Sequence, residues 1–218
     1  MALALLHFPT HGTAARRLSL PSLLPATHGG TRGYLQDTRA LPATTDFTVF
    51  TGMNVLCLVD EDNLRISLQR HGVRLSYRTL LARLTSQARR VTAWAVLTAA
   101  AGDGRRETYL AQRGWDVLTI PQEIVMTVDG PCKKANADLD LCFTAGALAR
   151  AKRCEAVLLG TGDGDLAIAL ARGIKRLHAG RAVYTLSVPG STSHRLRNAP
   201  DLFAGNLLIG EDITRGIA

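Results

Sequence analysis

The sequence predicts an α/β fold with a mainly parallel central sheet that is covered by helices on both faces. From residue 53 onward, short apolar runs typical of strands alternate with segments of helical periodicity. The runs are apolar along most of their length, as expected for strands buried on both sides. Two of them, Val55–Val59 and Ala156–Leu159, are soon followed by acidic residues. Ligands of such sheets bind beyond the carboxyl ends of the strands, so we expect the functional site there.

The elements follow one another in a regular order. The predicted strands are Val55–Val59, Val91–Thr98, Trp115–Ile120, Ala156–Leu159, Ala182–Leu186 and Asn206–Ile209. The predicted helices are Asn63–His71, Tyr77–Arg89, Arg105–Gln112, Asp138–Lys152, Leu166–Leu177 and Ser193–Arg197. Residues 121–134 show no clear period, and connections of this length are often functional.

Residues 1–52 differ in composition from the rest of the chain. Prolines interrupt any periodicity, and the first acidic residue is Asp37. The acid-poor composition is similar to that of a transit peptide, while translated upstream sequence before Met53 and a disordered arm are alternatives. We expect a disordered, artefactual or targeting extension over residues 1–52 and a single domain over residues 53–218.

Charge and cysteine content narrow the class of partner. The net charge is +8, which favours an anionic partner, most commonly nucleic acid. No apolar run approaches the roughly 18 residues that a bilayer span needs, so no membrane partner is expected. The four cysteines lack the Cys-x-x-Cys spacing of structural zinc sites and suit a reducing compartment, which predicts a cytoplasmic location. The sequence leaves open whether the chain forms a homodimer.

Acidic residues gather around the predicted strand ends. Asp60 follows the first strand, Asp163 and Asp165 follow the strand Ala156–Leu159, and Asp138 opens the helix before it. Clustered carboxylates are costly unless a cation neutralises them, and such oxygen ligands suit Mg²⁺ or Mn²⁺. An acidic cluster in a basic chain predicts a metal-dependent enzyme that acts on a polyanion. Asp138 and its neighbour Asp140 are equally well explained as first-turn acids that favour the helix dipole.

Polar and basic neighbours could assist these acids. Asn63 could orient Asp60 or a water molecule, and Thr161 could hold a phosphate together with the glycine amides beside it. Lys133, Lys134 and Arg195 lie near the same blocks of sequence. They are the preferred candidates for contacts with the phosphates of RNA.

The blocks that hold these residues resemble the NYN domain family, the LabA-like branch of the PIN-like ribonucleases. The family has a D-x-x-N motif after a strand, which is similar to Asp60-Glu61-Asp62-Asn63. Its second motif, a lysine shortly before a helix that begins with acidic residues, is similar to residues 134–141. Its S-G-D-x-D-F is similar to residues 161–166, T-G-D-G-D-L. Residues 193–203 are similar to its last block, with Pro200 inserted. The resemblance covers about residues 53–210.

The resemblance implies a three-layer Rossmann-like (PIN-like) fold and metal-dependent cleavage of RNA. It implies that the catalytic and metal-binding acids are Asp60, Asp138, Asp163 and Asp165. Asn63 and Ser193 would be supporting polar residues. Asn136, Thr161 and Leu166 depart from the family pattern, but no member of the acidic set is lost, so we expect an active ribonuclease.

Two other functions fit parts of the same pattern. In a phosphatase of the haloacid dehalogenase type, Asp60 would form an aspartyl phosphate and Asp62 would act as the acid and base. In an RNA-binding regulator, the same fold would have lost catalysis.

Overall fold

The computed structural model describes residues 40–100, 102–127, 130–134 and 153–217. Of these, residues 123–127, 131–134 and 197 are described by their backbone alone. The strands are β1 Asn54–Asp60, β2 Val73–Leu75, β3 Arg90–Ala99, β4 Asp116–Pro121, β5 Glu123–Thr127, β6 Gly130–Lys134, β7 Ala156–Gly160, β8 Ala182–Ser187, β9 Gly205–Leu208 and β10 Thr214–Gly216. The helices are α1 Glu61–Gln69, α2 Tyr77–Gln87, α3 Arg105–Ala111, α4 Gly164–Leu177 and α5 His194–Arg197. Single 3₁₀ turns lie at Thr48–Phe50, Pro200–Leu202 and Glu211–Ile213.

The predicted parallel sheet is confirmed. Six strands lie in the order β4-β3-β1-β7-β8-β9, and every neighbouring pair is parallel. Side chains of successive strand residues point to opposite faces, and each face of the sheet carries a core. Leu64 of α1 and Leu80 of α2 belong to one core, while Leu166 and Ile174 of α4 belong to the other. Helices thus cover both faces, which gives three layers.

The strand order reverses beside β1. The chain builds β1, β3 and β4 outward in one direction, then returns to place β7 against the free side of β1 and continues to β8 and β9. Val59 of β1 is in register with Gly160 of β7, so the residues that follow these strands emerge side by side. In open α/β sheets, ligands bind at such a reversal point.

Some element boundaries and short strands differ from the sequence prediction. Helices α1 and α4 each begin two residues earlier than predicted, because Asp60 and Asp163 cap them. Part of residues 121–134, for which no regular structure was predicted, forms the antiparallel hairpin β5–β6. The antiparallel pair of β2 and β10 was also missed, because strands of three residues show too little alternation to be recognised.

Part of the predicted N-terminal extension packs against the domain. Phe47 is 3% exposed and Phe50 is fully buried, and the Phe50 ring meets the Tyr184 ring edge-on at 4.9 Å. The Gly210 amide donates to the Thr45 hydroxyl at 2.8 Å, and the Thr45 amide donates to the Asp212 carboxylate at 2.9 Å. Residues 42–50 therefore belong to the packed body, which moves the predicted domain boundary toward the N-terminus. Residues 1–39 lie outside the described residues, so their assignment to an extension stays a prediction.

Within the described ranges, no helix is both long and apolar enough to cross a membrane.

We expect Phe50→Ala to lower the free energy of unfolding by about 3–5 kcal/mol, because it empties a fully buried ring site in the core. The matched control is Val49→Ala, whose side chain is 37% exposed and should cost less than about 0.5 kcal/mol. Urea denaturation of both variants measures the difference. Equal stability of the two would show that residues 42–50 do not contribute to the core.

Candidate active site at the edge of the sheet

Two of the predicted acids lie at the reversal point of the sheet. Asp60 ends β1, and its Oδ1 accepts a hydrogen bond from the Asn63 amide at 3.1 Å. Asp163 follows β7, and its Oδ1 accepts from the amides of Asp165 at 2.8 Å and Leu166 at 3.2 Å. Each carboxylate therefore caps the helix that follows its strand, and this fixes its position. Both residues are partly exposed, so ligands can reach them.

Asn63 joins the two strand ends. Its amide donates to Asp60, while its side-chain Oδ1 accepts from the Gly162 amide at 2.8 Å. A hydrogen-bonded path thus runs from Asp60 through Asn63 to the residue before Asp163. This geometry supports the predicted orienting role of Asn63.

The loop after β7 is packed too tightly for side chains at two glycines. A Cβ on Gly162 would lie 2.9 Å from the Ser191 carbonyl oxygen and 3.3 Å from Asn63 Oδ1. A Cβ on Gly164 would lie 2.5 Å from Ser193 Oγ and 2.8 Å from Ser193 Cβ. Glycine is therefore required so that the chain after β8 can approach the loop that carries Asp163.

Thr161 and Ser193 hold this loop in place. Thr161 is 1% exposed, and its Oγ1 accepts from the Asp163 amide at 3.1 Å. The Ser193 amide donates to the Gly162 carbonyl at 3.1 Å, and Ser193 Oγ accepts from the Arg195 amide at 3.3 Å. Thr161 was predicted to hold a phosphate, but its burial instead indicates that it positions Asp163.

Asp165 differs from the two capping acids in its exposure and in its partner. Its carboxylate is exposed and forms an ion pair with the Arg195 guanidinium. The structure therefore pairs a predicted metal ligand with a predicted RNA contact. Because both side chains are more than half exposed, the pair is weak and easily exchanged for other partners.

The remaining predicted residues cannot be placed with their side chains. Asp138 and Asp140 lie outside the described residues. Lys133 and Lys134 lie in β6, where the backbone pairs Lys133 with Ile124 and Lys134 with Glu123. Within the described ranges, no three His, Cys, Asp or Glu side chains converge on a point that could hold a metal ion.

A second charged cluster, which the sequence analysis missed, lies beside the site. Arg106 Nη1 of α3 contacts Glu61 Oε2 at 2.5 Å and Asp62 Oδ1 at 2.6 Å. Arg65 also contacts Asp62 at 2.8 Å. Asp62 Oδ2 accepts from the amide and the hydroxyl of Thr98 at 2.7 and 2.8 Å. The cluster ties the first turn of α1 to β3 and α3.

These contacts change the protonation of the two acids. Burial alone would raise the pKa of Asp62, but hydrogen bonds from Arg106, Arg65 and Thr98 outweigh it and lower that pKa to about 2. Burial raises the pKa of Glu61, although the charge of Arg106 opposes the shift. Both carboxylate oxygens of Asp62 accept hydrogen bonds, which argues against the acid and base role that the phosphatase alternative gives this residue. The i, i+3 spacing of Asp62 and Arg65 was readable from the sequence, whereas the distant Arg106 gave no local signal.

A model of the NYN domain matches residues 54–205. A search of curated proteins finds no match. A solved structure of a protein of unknown function from Vibrio parahaemolyticus is 21% identical with a TM-score of 0.60, and the match covers 75% of this chain and 97% of that one. Acinetobacter baumannii MurG is 12% identical with a TM-score of 0.41 over 70% of this chain and 40% of its own. The Vibrio structure supports the fold.

We expect Gly164→Ala to lower the free energy of unfolding by about 1–3 kcal/mol, because the new methyl group would displace Ser193 and the start of α5. Gly173→Ala, in the same helix but with open space around it, should raise stability by about 0.5–1 kcal/mol. Urea denaturation compares the two. A stabilising effect of Gly164→Ala would show that the approach is looser than the structure indicates.

We expect the stability advantage of the wild type over Asp62→Asn to shrink by about 2 kcal/mol between pH 6 and pH 2. The pKa of Asp62 is lower in the folded chain than its usual 3.8, so its ionised form stabilises the fold above about pH 4. That contribution is lost as the pH falls toward 2. Urea titrations of both proteins across this range measure the change, and a constant difference would contradict the ionic contacts of Asp62.

Proposed function

The chain belongs to the NYN domain family, which is a family of PIN-like nucleases, and from this premise we propose that it is a metal-dependent ribonuclease. It would hydrolyse phosphodiester bonds of RNA at the sheet edge where β1 and β7 end. The match over residues 54–205 includes Asp60, Asp163 and the connection between them. The net charge of +8 favours a polyanionic substrate.

The observation that carries the proposal is the bridge through Asn63. It links the Asp60 and Asp163 ends of two adjacent parallel strands through hydrogen bonds of 3.1 and 2.8 Å. Carboxylates in this position contribute nothing to the apolar core. Two helix caps and a glycine-containing loop nevertheless hold them in place. A rigid acidic pair at a reversal point is the arrangement expected of a catalytic site.

The donor set fits a hard divalent cation. Among the described residues, the hydrogen bonds of Asp163 go to Oδ1, which leaves Oδ2 for a ligand. Carboxylate oxygens suit Mg²⁺ or Mn²⁺, and Mg²⁺ takes only one or two carboxylates directly. We propose that Asp60 and Asp163 hold the ion, with Asp138 as a further ligand. When bound, the ion would polarise the phosphodiester and lower the pKa of a water molecule.

The other residues would act around this pair. Asn63, Thr161 and Ser193 are positioning residues, because their contacts are with the loop that carries Asp163. Asp165 would join the acidic set once Arg195 transfers its guanidinium from that carboxylate to an RNA phosphate. A guanidinium binds phosphate in the same forked geometry as carboxylate, so this exchange keeps the charge of Arg195 satisfied. Lys133 and Lys134 are proposed as further phosphate contacts.

We expect Asp163→Asn to reduce RNA cleavage at least 100-fold, because it removes a carboxylate that holds the ion. Asparagine caps helices about as well as aspartate, so the fold should be kept. The assay is cleavage of a labelled single-stranded RNA with Mn²⁺, with Mg²⁺ and with EDTA, which should abolish activity. The control is Asp116→Asn, an exposed acid at the start of β4, which should leave the rate unchanged.

Each arm has an outcome that counts against the proposal. Full activity of Asp163→Asn would remove this residue from the mechanism, and full activity in EDTA would remove the metal. RNA binding without cleavage under every condition would instead indicate the catalytically silent regulator.

A further inference from the structure

A cavity lies on the face of the sheet that α4 covers. It has a volume of about 240 Å³ and opens between β8, β9 and the chain that connects them. Leu196, Pro200 and Phe203 form its apolar walls, and Thr185, Thr192 and Asn206 bring polar groups to it. The volume is below the roughly 300–1,000 Å³ of sites for drug-sized ligands. It therefore has room for one small ring system.

Among the polar groups of the cavity, the exposed Asn206 offers a hydrogen-bond donor to a ligand. Asn206 Oδ1 accepts from the hydroxyl of Thr185 and, at 3.2 Å, from the hydroxyl of Ser187. These two bonds fix the side-chain amide so that Nδ2 is the group left to donate. The structure gives Nδ2 no partner among the described residues. A ligand that presents a carbonyl or ring-nitrogen acceptor beside an aromatic ring would satisfy it.

The cavity adjoins the proposed site of cleavage. Thr192 lines it, and the next residue, Ser193, donates its amide to the carbonyl of Gly162 in the loop that carries Asp163. Basic groups lie around it: Arg195 is exposed, and Lys175 donates to the Asp201 carbonyl at 2.6 Å. Asp201 contributes one negative charge to the same surface. The two cations could contact phosphates on either side of a bound ring.

We propose that this cavity binds one base of the RNA strand, next to the bond that is cleaved. This inference rests on the proposed ribonuclease function. The base would insert against Phe203, with an acceptor on its edge bonded to Asn206 Nδ2. Stacking of a base on an aromatic side chain tolerates every base, whereas the amide donor would favour bases that turn an acceptor toward it. The cavity would thus fix which nucleotide lies beside Asp60 and Asp163.

The test measures RNA affinity in the Asp163→Asn background, so that the RNA stays intact. A single-stranded RNA of about twelve nucleotides is made as a series in which each position in turn lacks its base. We expect one position to weaken binding about tenfold. Asn206→Asp and Phe203→Leu should each weaken binding of intact RNA about tenfold, and in both variants the missing base should no longer matter.

Asn206→Asp keeps an oxygen for Thr185 and Ser187 but removes the Nδ2 donor. Asn198→Asp makes the same chemical change at an asparagine that is exposed like Asn206 but lies outside the cavity, and it should behave like the unmodified background. This control separates loss of the donor from the effect of added negative charge. Thermal melting confirms that each variant is folded. If one cavity variant does not fold, the other alone is enough to test the proposal.

A flat response to missing bases, or a penalty that both cavity variants retain, would overturn the cavity proposal. Cleavage of the same RNA by the protein with Asp163 intact is measured in parallel. Cleavage together with a flat response overturns the cavity alone. Position-dependent binding without any cleavage overturns the ribonuclease alone, and a lack of RNA binding overturns both.

Discussion

The hydrogen bond from the Gly162 amide to Asn63 Oδ1 is the contact on which the site depends. It crosses from the loop after β7 to the first turn of α1, and the same asparagine anchors Asp60 through its own amide. Without it, the end of β1 and the loop after β7 would lose the side-chain bond that joins them, and Thr161 and Ser193 would still hold the loop. The approach requires glycine, because a Cβ on Gly162 would lie 3.3 Å from Asn63 Oδ1 and 2.9 Å from the Ser191 carbonyl oxygen. Chemistry at the sheet edge therefore rests on tight backbone packing.

The sequence was sufficient for the architecture and for the two capping acids. The alternation of strands and helices predicted the parallel sheet, because strands buried on both faces leave a strong apolar signal. Asp60 and Asp163 could be located because each interrupts such a strand at its end. The hairpin β5–β6 and the pair of β2 with β10 could not be predicted, since short antiparallel strands depend on partners that the local sequence does not reveal.

The sequence also could not predict which side chains that lie far apart along the chain contact one another. Asp165 belongs to the same motif, residues 161–166, as Asp163. Its ion pair with Arg195, however, depends on how the chain after β8 returns to α4. Arg106 contacts Glu61 and Asp62 across 45 and 44 residues. It neutralises both acids, of which Asp62 was the acid and base of the phosphatase alternative. At the end of β1, Asp60 therefore caps α1, whereas Glu61 and Asp62 are held by arginine.

The clasp between residues 42–45 and 210–212 has a consequence for synthesis on the ribosome. The backbone and side-chain bonds that seat Thr45 require Gly210 and Asp212. Residues 42–45 emerge early, yet the groups that bind them are translated some 165 positions later. In a nascent chain, this segment therefore lacks these hydrogen bonds until residues 210–212 have left the exit tunnel. Closing of this clasp would be a late step of co-translational folding, together with the pairing of β10 with β2.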